Sequence, residues 1–417
     1  MKVLYLTYDG LSDPLGQSQI LPYLIGLSRK GHFITVISSE KKAYSSNLPW
    51  IKSQLEENGI MWHSISYTKS PLIISTIYDV LKIWKICIGL VKKEKFDIVH
   101  CRSYITSLIG TRLKKKHRLK FIFDPRGFYA DERIDGGMWN QNSFIYRFIY
   151  RYFKNREADF LSLADHTITL TESARKEIHT WKSIDGKSLP IKVIPCCVDT
   201  ELFSRKNLNK EAVDQWKEKL GIRKNDLILS YVGAVGTWYL LDEMLDFFSR
   251  MKLKLPESKF LVISHEDPEM IQEKSAQKKI SEDSIIIIKL PHREIPHVLA
   301  LSSLSIFFIK PVYSKKASSP TKQAEILSMG IPIICNTNIG DTDMFIRKTE
   351  SGSIIRTFTN EDYDFVIDDI QNLLNKDSEK IRKVALDNFS LESGVNKYDE
   401  VYQSVMKTTS CDDKIHS

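Results

Sequence analysis

Between Ser318 and Cys335 the chain reads Ser-Ser-Pro-Thr-Lys-Gln-Ala-Glu-Ile-Leu-Ser-Met-Gly-Ile-Pro-Ile-Ile-Cys. Pro320 suits the first turn of a helix, Ser319 its cap, and Gly330 its end before an apolar strand. Lys322 and Glu325, three apart, share one helical face, and the amides of Thr321 and Lys322 point out of the N-terminus. A lysine at that electropositive end is repelled by the helix dipole unless an anion is bound there. A diphosphate would supply the anion, and Glu325, one turn on, would be placed to accept both hydroxyls of a ribose. The alternative is a surface ion pair worth well under about 1 kcal/mol, and spacing alone leaves both readings open.

Two strand-to-helix turns carry further candidates. In Asp9-Gly-Leu-Ser-Asp-Pro-Leu-Gly-Gln-Ser, Gly16 would let backbone approach a ligand, and Gln17 with Ser18 would open a helix; the alternative is a plain turn capped by Ser18. In Val232-Gly-Ala-Val-Gly-Thr-Trp, Gly233, Gly236 and Thr237 would contact a diphosphate, although glycines at such turns are common. Neither turn is the dinucleotide fingerprint G-x-G-x-x-G. After another strand, Asp124 would accept a proton or a sugar hydroxyl and Arg126 would bind phosphate through its fork, unless the two merely lock their loop. Arg102, ending a neighbouring strand, is a candidate for the same opening. Asp341-Thr-Asp343 has the D-x-D form of some metal sites but is expected to cap a helix, so no metal is predicted.

These residues need a frame to hold them. Short apolar runs alternate with amphipathic stretches, the pattern of βαβ units and a parallel sheet. Strands are predicted at 3–7, 34–38, 61–66, 98–101, 121–123, 167–170 and 193–195, with helices at 18–30, 72–93 and 143–163. A polar connector follows, and the alternation restarts with strands at 227–233, 260–264, 285–289, 305–309 and 331–335 and a helix at 238–251. The fold class is therefore α/β, with two doubly wound Rossmann-like domains, 1–200 and 227–390, joined by a linker at 201–226. Two such sheets have crevices suited to two substrates. Residues 391–407 are amphipathic and expected to dock back toward the first domain, with a flexible tail at 408–417.

At 417 residues, 42% apolar and 27% charged, the chain can bury a large core without metal or disulfide staples. The six cysteines contain no C-x-x-C pair, so neither a zinc site nor a disulfide framework is expected. The apolar stretch 71–91 is broken by Asp79, Lys82 and Lys85, and the N-terminus has no signal-peptide form. A cytoplasmic protein is the expectation. Its net charge is +8, yet the first 200 residues hold 30 basic against 19 acidic side chains, which suggests a polyanionic partner. Lys114, Lys115 and Lys116 form one basic cluster. Arg147, Arg151 and Lys154 fall on one helical face beside Tyr146, Tyr150 and Phe153, an interfacial pattern that predicts peripheral attachment to the inner face of an anionic membrane. Solvated charge over an aromatic core helix is the alternative. No nucleic-acid partner is expected, because no binding module accompanies the charge.

Taken in order, Ser318–Asn336, the Val193-Ile-Pro-Cys-Cys-Val-Asp199 segment with Phe203, the Ile168-Thr-Leu-Thr strand, and the turn at Tyr8–Gln19 with Lys30-Gly-His-Phe-Ile-Thr-Val-Ile-Ser resemble the family-4 retaining glycosyltransferases of GT-B fold. The resemblance spans some 340 residues. It implies sugar transfer from a nucleoside diphosphate sugar, a substrate rather than a cofactor, to a glycan or lipid-linked acceptor in cell-surface polysaccharide biosynthesis. It also implies Glu325 as the ribose ligand, with Lys322 and neighbouring amides on the diphosphate. Two positions depart from the family: Ala317 stands where a second Glu is frequent, and Gly236-Thr-Trp238 replaces a frequent Arg…Lys pair. Related functions of the same fold are nucleotide-sugar epimerisation and hydrolysis, which need no acceptor. A basic, non-enzymatic binding protein would show salt-dependent binding without nucleotide-sugar affinity.

Overall fold

The computed structural model describes residues 1–412, except the side chains of Leu72 and of residues 408–412. The tail expected at 408–417 thus falls outside the described residues, save for the backbone of a helix that runs to Asp412. The chain forms two compact units, one of Met1–Pro195 with the segment from Leu391, the other of Cys196–Ser390.

The first unit is built on a seven-stranded sheet of β1 (Lys2–Thr7), β2 (Phe33–Glu40), β3 (Met61–Ser66), β4 (Ile98–Arg102), β5 (Lys120–Asp124), β6 (His166–Thr169) and β7 (Ile191–Val193), in the order β3-β2-β1-β4-β5-β6-β7. All neighbouring pairs are parallel. The central strands are buried on both faces, which is why β1 and β5 read as apolar runs rather than alternating ones, while β4 buries His100 and Arg102 as well. Sequence order reverses between β1 and β4, and in open parallel sheets such a point opens a crevice at the carboxyl ends of the strands. Thr7 and Arg102 are the residues that end those strands there.

The second unit carries β8 (Leu227–Val232), β9 (Ser258–Ile263), β10 (Ile285–Ile288), β11 (Leu304–Phe307), β12 (Ile333–Asn336) and β13 (Gly352–Ile355) in the order β10-β9-β8-β11-β12-β13, again parallel. Its reversal lies between β8 and β11, so the loop 233–240 stands at the switch point. The strand β13 has no counterpart in the sequence reading. It is short and starts on Gly352, where a Cβ would lie 1.9 Å from the Ile333 carbonyl oxygen, so glycine marks close strand approach rather than a turn.

Residues 196–226, expected as the close of the first domain and a linker, lie within the second unit. Phe203 is fully buried in the core that also holds Ile228 and Leu299. Arg205 donates from Nε to the Met329 carbonyl (2.9 Å) and from Nη2 to that of Ser302 (3.1 Å). Arg382 in turn holds the carbonyls of Thr200, Phe203 and Ser328. Polarity suggested a connector, but these arginines spend their charge on backbone carbonyls and fasten the segment down. The helix Lys210–Lys219 within it is capped by Asn209, whose side chain accepts from Glu211 and Ala212 amides.

The helix Leu391–Asp412 is part of the first unit. Val395, Tyr398, Val401, Tyr402 and Val405 are all buried, and the first of them fits against Gly26 of the helix Leu21–Arg29, where a Cβ would meet a Val395 methyl at 2.5 Å. Apolar residues at three- and four-residue spacing supply the buried stripe of this helix.

Candidate active site

The loop after β8 gathers the groups of the second unit. Gly233 (φ 125°) and Gly236 (φ 86°) take backbone conformations that favour glycine, and the helix that follows begins at Leu241 rather than Trp238. The turn is held by backbone bonds from Leu240 to Phe308 and from Lys310 to Trp238. Across from it, the helix Thr321–Ser328 starts with Pro320 at its N-cap. Ser319 is not the cap: its hydroxyl accepts from the Cys196 amide at 3.1 Å. Thr321 is the first helical residue and is half-buried.

Lys322 extends from this helix toward the loop and is 6% exposed. Its Nζ donates to the Tyr231 hydroxyl at 3.0 Å and sits 3.5 Å from the ring centre of Tyr239 and 4.2 Å from that of Tyr231. The Tyr231 hydroxyl passes a short hydrogen bond on to the Ala234 carbonyl. A Cβ on Gly233 would stand 2.8 Å from the same Nζ, so the amine lies directly against the loop backbone. Burial holds the Lys322 amine well below the ordinary lysine range, against the opposing pull of Glu325. Ring faces stabilise a cation, but no carboxylate lies within ion-pair reach of Nζ among the described residues.

Glu325 has a different partner. Its Oε1 lies 2.9 Å from His292 Nε2, on a short helical turn after β10. Burial lowers the imidazole pKa, the Glu325 bond raises it, and the bond prevails, leaving it above the usual value. The surface Lys322–Glu325 pair offered by spacing is thus replaced by two buried, separately partnered groups. Lys315 brings a second ammonium to the same loop, with Nζ 3.6 Å from the ring centre of Trp238, although no pattern in the sequence singled it out. Asp341 stands at the N-cap position of the helix Thr342–Thr349 without a side-chain cap bond, and no His/Cys/Asp/Glu cluster among the described residues could hold a metal ion.

In the first unit the corresponding loop is occupied from within. Glu40 accepts from the amides of Leu11 (2.9 Å) and Ser12 (3.0 Å) and from the hydroxyls of Ser12 and Ser38. A Cβ on Gly16 would lie 2.0 Å from the Gly10 carbonyl oxygen, so glycine at this position serves the tight packing of the loop on itself. The helix begins at Pro14, which places the Gln17 amide inside it, donating to Asp13 at 2.9 Å. Gln17 Nε2 donates to the Ser12 carbonyl. Ser18 likewise bonds back to Pro14 instead of capping.

Asp124 is fully buried. Its Oδ2 accepts from the Tyr398 hydroxyl at 2.9 Å and lies 3.5 Å from His100 Nε2, with Arg126 Nη1 4.0 Å from Oδ1. Burial pushes the carboxyl pKa up, but Arg126 and then His100 hold it below the usual range. Arg126, left-handed at φ 61°, also donates to Tyr398, and His100 Nδ1 is 2.8 Å from the Tyr402 hydroxyl. The expected catalytic carboxylate and phosphate-binding arginine therefore anchor the C-terminal helix, a form of loop-locking in which the sequence did not reveal the tyrosine partners. Arg102 is buried and faces Asp9 at 3.6 Å.

The basic residues separate by role. Lys114 pairs with Asp165, which also accepts from the Phe121 amide. Lys154 pairs with Asp131 and Glu157, and Phe153 is core. Lys115, Lys116, Arg147 and Arg151 are exposed. No described helix is long and apolar enough to cross a membrane.

Residues 23–202 match Glycosyltransferase Family 4, and residues 212–385 match Glycosyl transferases group 1. An alpha-monoglucosyldiacylglycerol synthase of Acholeplasma laidlawii is 20% identical over 179 residues, 41% of this chain and 42% of that relative's length. Among solved structures, a glycosyltransferase from Rickettsia africae superposes with TM-score 0.69 at 18% identity, over 97% of this chain and 98% of the other. HepE of Anabaena, solved in complex with UDP and glucose, gives TM-score 0.68 at 13% identity over 97% and 100%.

Proposed function

The chain belongs to the glycosyltransferases of GT-B fold, and from that premise we propose that it moves a hexose-like sugar, with retention, from a nucleoside diphosphate sugar to a glycan or lipid-linked acceptor of cell-surface polysaccharide biosynthesis. It would act in the cytoplasm, peripheral to the inner face of the membrane. The observation that carries this reading is the buried, aromatic-walled Lys322 amine beside a Glu325 whose orientation is fixed by His292.

Departure of a nucleoside diphosphate places charge on phosphate, so stabilising that charge dominates the barrier. An arriving phosphate supplies the anion Lys322 lacks, and its amine then carries a proton opposite the developing charge. Amides of the helix start at Thr321 and the backbone of Gly233, Gly236 and Thr237 would share the diphosphate. Oε2 of Glu325, left over from the His292 bond, would accept ribose hydroxyls. Asp124 is buried and engaged by Tyr398, which removes it as nucleophile; the departing phosphate then takes the acceptor proton.

Turnover of nucleotide sugar by Lys322→Ala and Glu325→Ala tests the reading. Both should fall at least roughly a hundredfold, the loss of one or two charge-assisted bonds, with folding retained. Rates near those of the unaltered protein would reject the donor-site roles. Product formed from donor alone, without acceptor, would favour epimerisation or hydrolysis.

A further inference from the structure

Arg102 ends β4 where the strand order of the first sheet reverses, in register with Thr7 of β1 on one side and Asp124 of β5 on the other. Open parallel sheets take ligands at that place, and no step of sugar transfer proposed for this chain uses it. The side chain is 3% exposed. Its Nε is nonetheless sealed from solvent without a hydrogen bond, and none of its nitrogens donates one among the described residues. A guanidinium is a fork of N–H donors with no acceptor, and buried donors are almost always satisfied, so oxygen atoms from outside the protein are called for. The charge is met as poorly as the donors: the single carboxylate within ion-pair reach among the described residues is that of Asp9, with Oδ2 3.6 Å from Nε.

Asp9 is a loose partner. Its distance exceeds hydrogen-bonding range, and it is the outer member of the pair, its side chain 41% exposed against 3% for Arg102. The Asp9 amide donates to the Thr7 hydroxyl at 3.1 Å and its carbonyl accepts from the same group at 3.2 Å, while Glu40 fastens the residues that follow through the amides of Leu11 and Ser12. With the backbone pinned, rotation of the side chain is what moves this carboxylate relative to the fork. Asp124, on the other side, is already engaged by Tyr398 and Arg126. An open guanidinium therefore stands behind one movable carboxylate. A planar fork matches two oxygens of a carboxylate or phosphate, whereas a neutral hydroxyl or a water leaves the buried charge unmatched. Donor phosphate is assigned to Lys322 in the second unit, which leaves the crevice of the first to the acceptor.

We propose that Arg102 is the receptor for an oxyanion carried by the acceptor, a phosphoryl or carboxylate group, and that Asp9 is the placeholder which this group displaces. The acceptor is thereby narrowed to phosphate-linked or acidic glycans. The inference rests on the proposed function for calling the anion part of an acceptor, while binding of the anion depends on no step of sugar transfer.

The test is calorimetric titration of phenyl phosphate and of methyl glucuronoside into the full chain carrying Lys322→Ala, which removes the phosphate-binding amine of the second unit. At least one should bind, the phosphate ester indicating a phosphate-linked acceptor and the glucuronoside an acidic glycan. Adding Arg102→Gln should weaken that binding at least about tenfold, the loss of charge-assisted bonds. Adding Asp9→Asn should instead strengthen it several-fold, because the competing charge is gone while the backbone contacts to Thr7 remain; this variant decides the question if Arg102→Gln does not fold. Lys52→Gln, which removes an exposed cation of the same unit, should bind as its parent does. Binding of neither anion overturns the proposal, as does equal binding by Arg102→Gln, weaker binding by Asp9→Asn, or methyl glucoside bound as tightly as the anions. Nucleotide binding by the protein with Lys322 intact reads the donor site separately, so failure of the donor reading and failure of the oxyanion site are distinguishable.

Discussion

His292 Nε2 lies 2.9 Å from Oε1 of Glu325, thirty-three positions later in the chain. One carboxylate oxygen is thereby committed and the other left to a ligand, so the imidazole sets the orientation of the group proposed to read the ribose. His292→Gln should keep a hydrogen bond and most turnover. His292→Ala should raise KM for the donor several-fold with a smaller change in kcat and should narrow the preference for ribose over 2′-deoxyribose nucleotides. An unchanged KM would remove the positioning role.

The same pair gives a pH signature. The folded pKa of His292 is raised above its unfolded value, so the stabilisation is complete below about pH 6.5 and is lost as pH rises through the folded pKa. The half-exposed imidazole limits its size to below about 1 kcal/mol. Melting curves of the unaltered protein and His292→Gln should therefore converge on the alkaline side and separate on the acid side; the opposite order would contradict the assignment.

Lys322 trades stability for binding. An amine buried between two tyrosine rings is costly to charge, so Lys322→Met should match or exceed the unaltered stability, by about 1 kcal/mol, while losing turnover. Nucleoside diphosphate binding should also take up a proton, because the amine pKa starts low and rises beside phosphate; affinity then falls as pH rises through the window between the two values. Calorimetry in buffers of different ionisation enthalpy measures that proton directly. Zero uptake would mean that the amine does not meet the phosphate.

Asp124 is expected to matter to packing. Tyr398→Phe leaves a buried carboxylate one donor short, which should cost about 1–3 kcal/mol, with nucleotide affinity unchanged. Since Asp124 has a lowered folded pKa, its contribution is present above the unfolded carboxyl value and lost as pH falls through the folded one. Loss of nucleotide affinity without loss of stability would return Asp124 to the catalytic site.

Gly16→Ala would drive a methyl against the Gly10 carbonyl, and overpacking of this kind costs about 1–3 kcal/mol. A neutral substitution would show that the loop held by Glu40 can yield.

Much of the frame was legible in residue order. The 72–93 helix follows its apolar period residue for residue, and each expected strand corresponds to an observed one, because buried parallel strands leave continuous apolar runs. Failures occurred where local polarity and tertiary use diverge. Ser18 and Ser319 have cap chemistry but bond elsewhere, and 196–226 is polar yet fastened by Arg205 and Arg382.

The site was half legible. Lys322 and Glu325 were singled out by a spacing that suits either an anion site or a surface ion pair, and the lysine at a helix start is what drew attention to the first. Their partners Tyr231, Tyr239 and His292 are brought to them from separate strands and turns, with no shared period to connect them. Asp124 drew notice as a charged strand end, but Tyr398 and Tyr402, legible as a docking stripe, reach it only through the fold.

The most direct test of the central claim is calorimetric titration of UDP, GDP, ADP and CMP into the unaltered protein and into Lys322→Ala. One nucleoside diphosphate should bind, and the variant should bind it at least roughly a hundredfold more weakly, as the loss of about 3 kcal/mol of charge-assisted contact requires. Binding of none of the four, or equal binding by both proteins, would contradict the account.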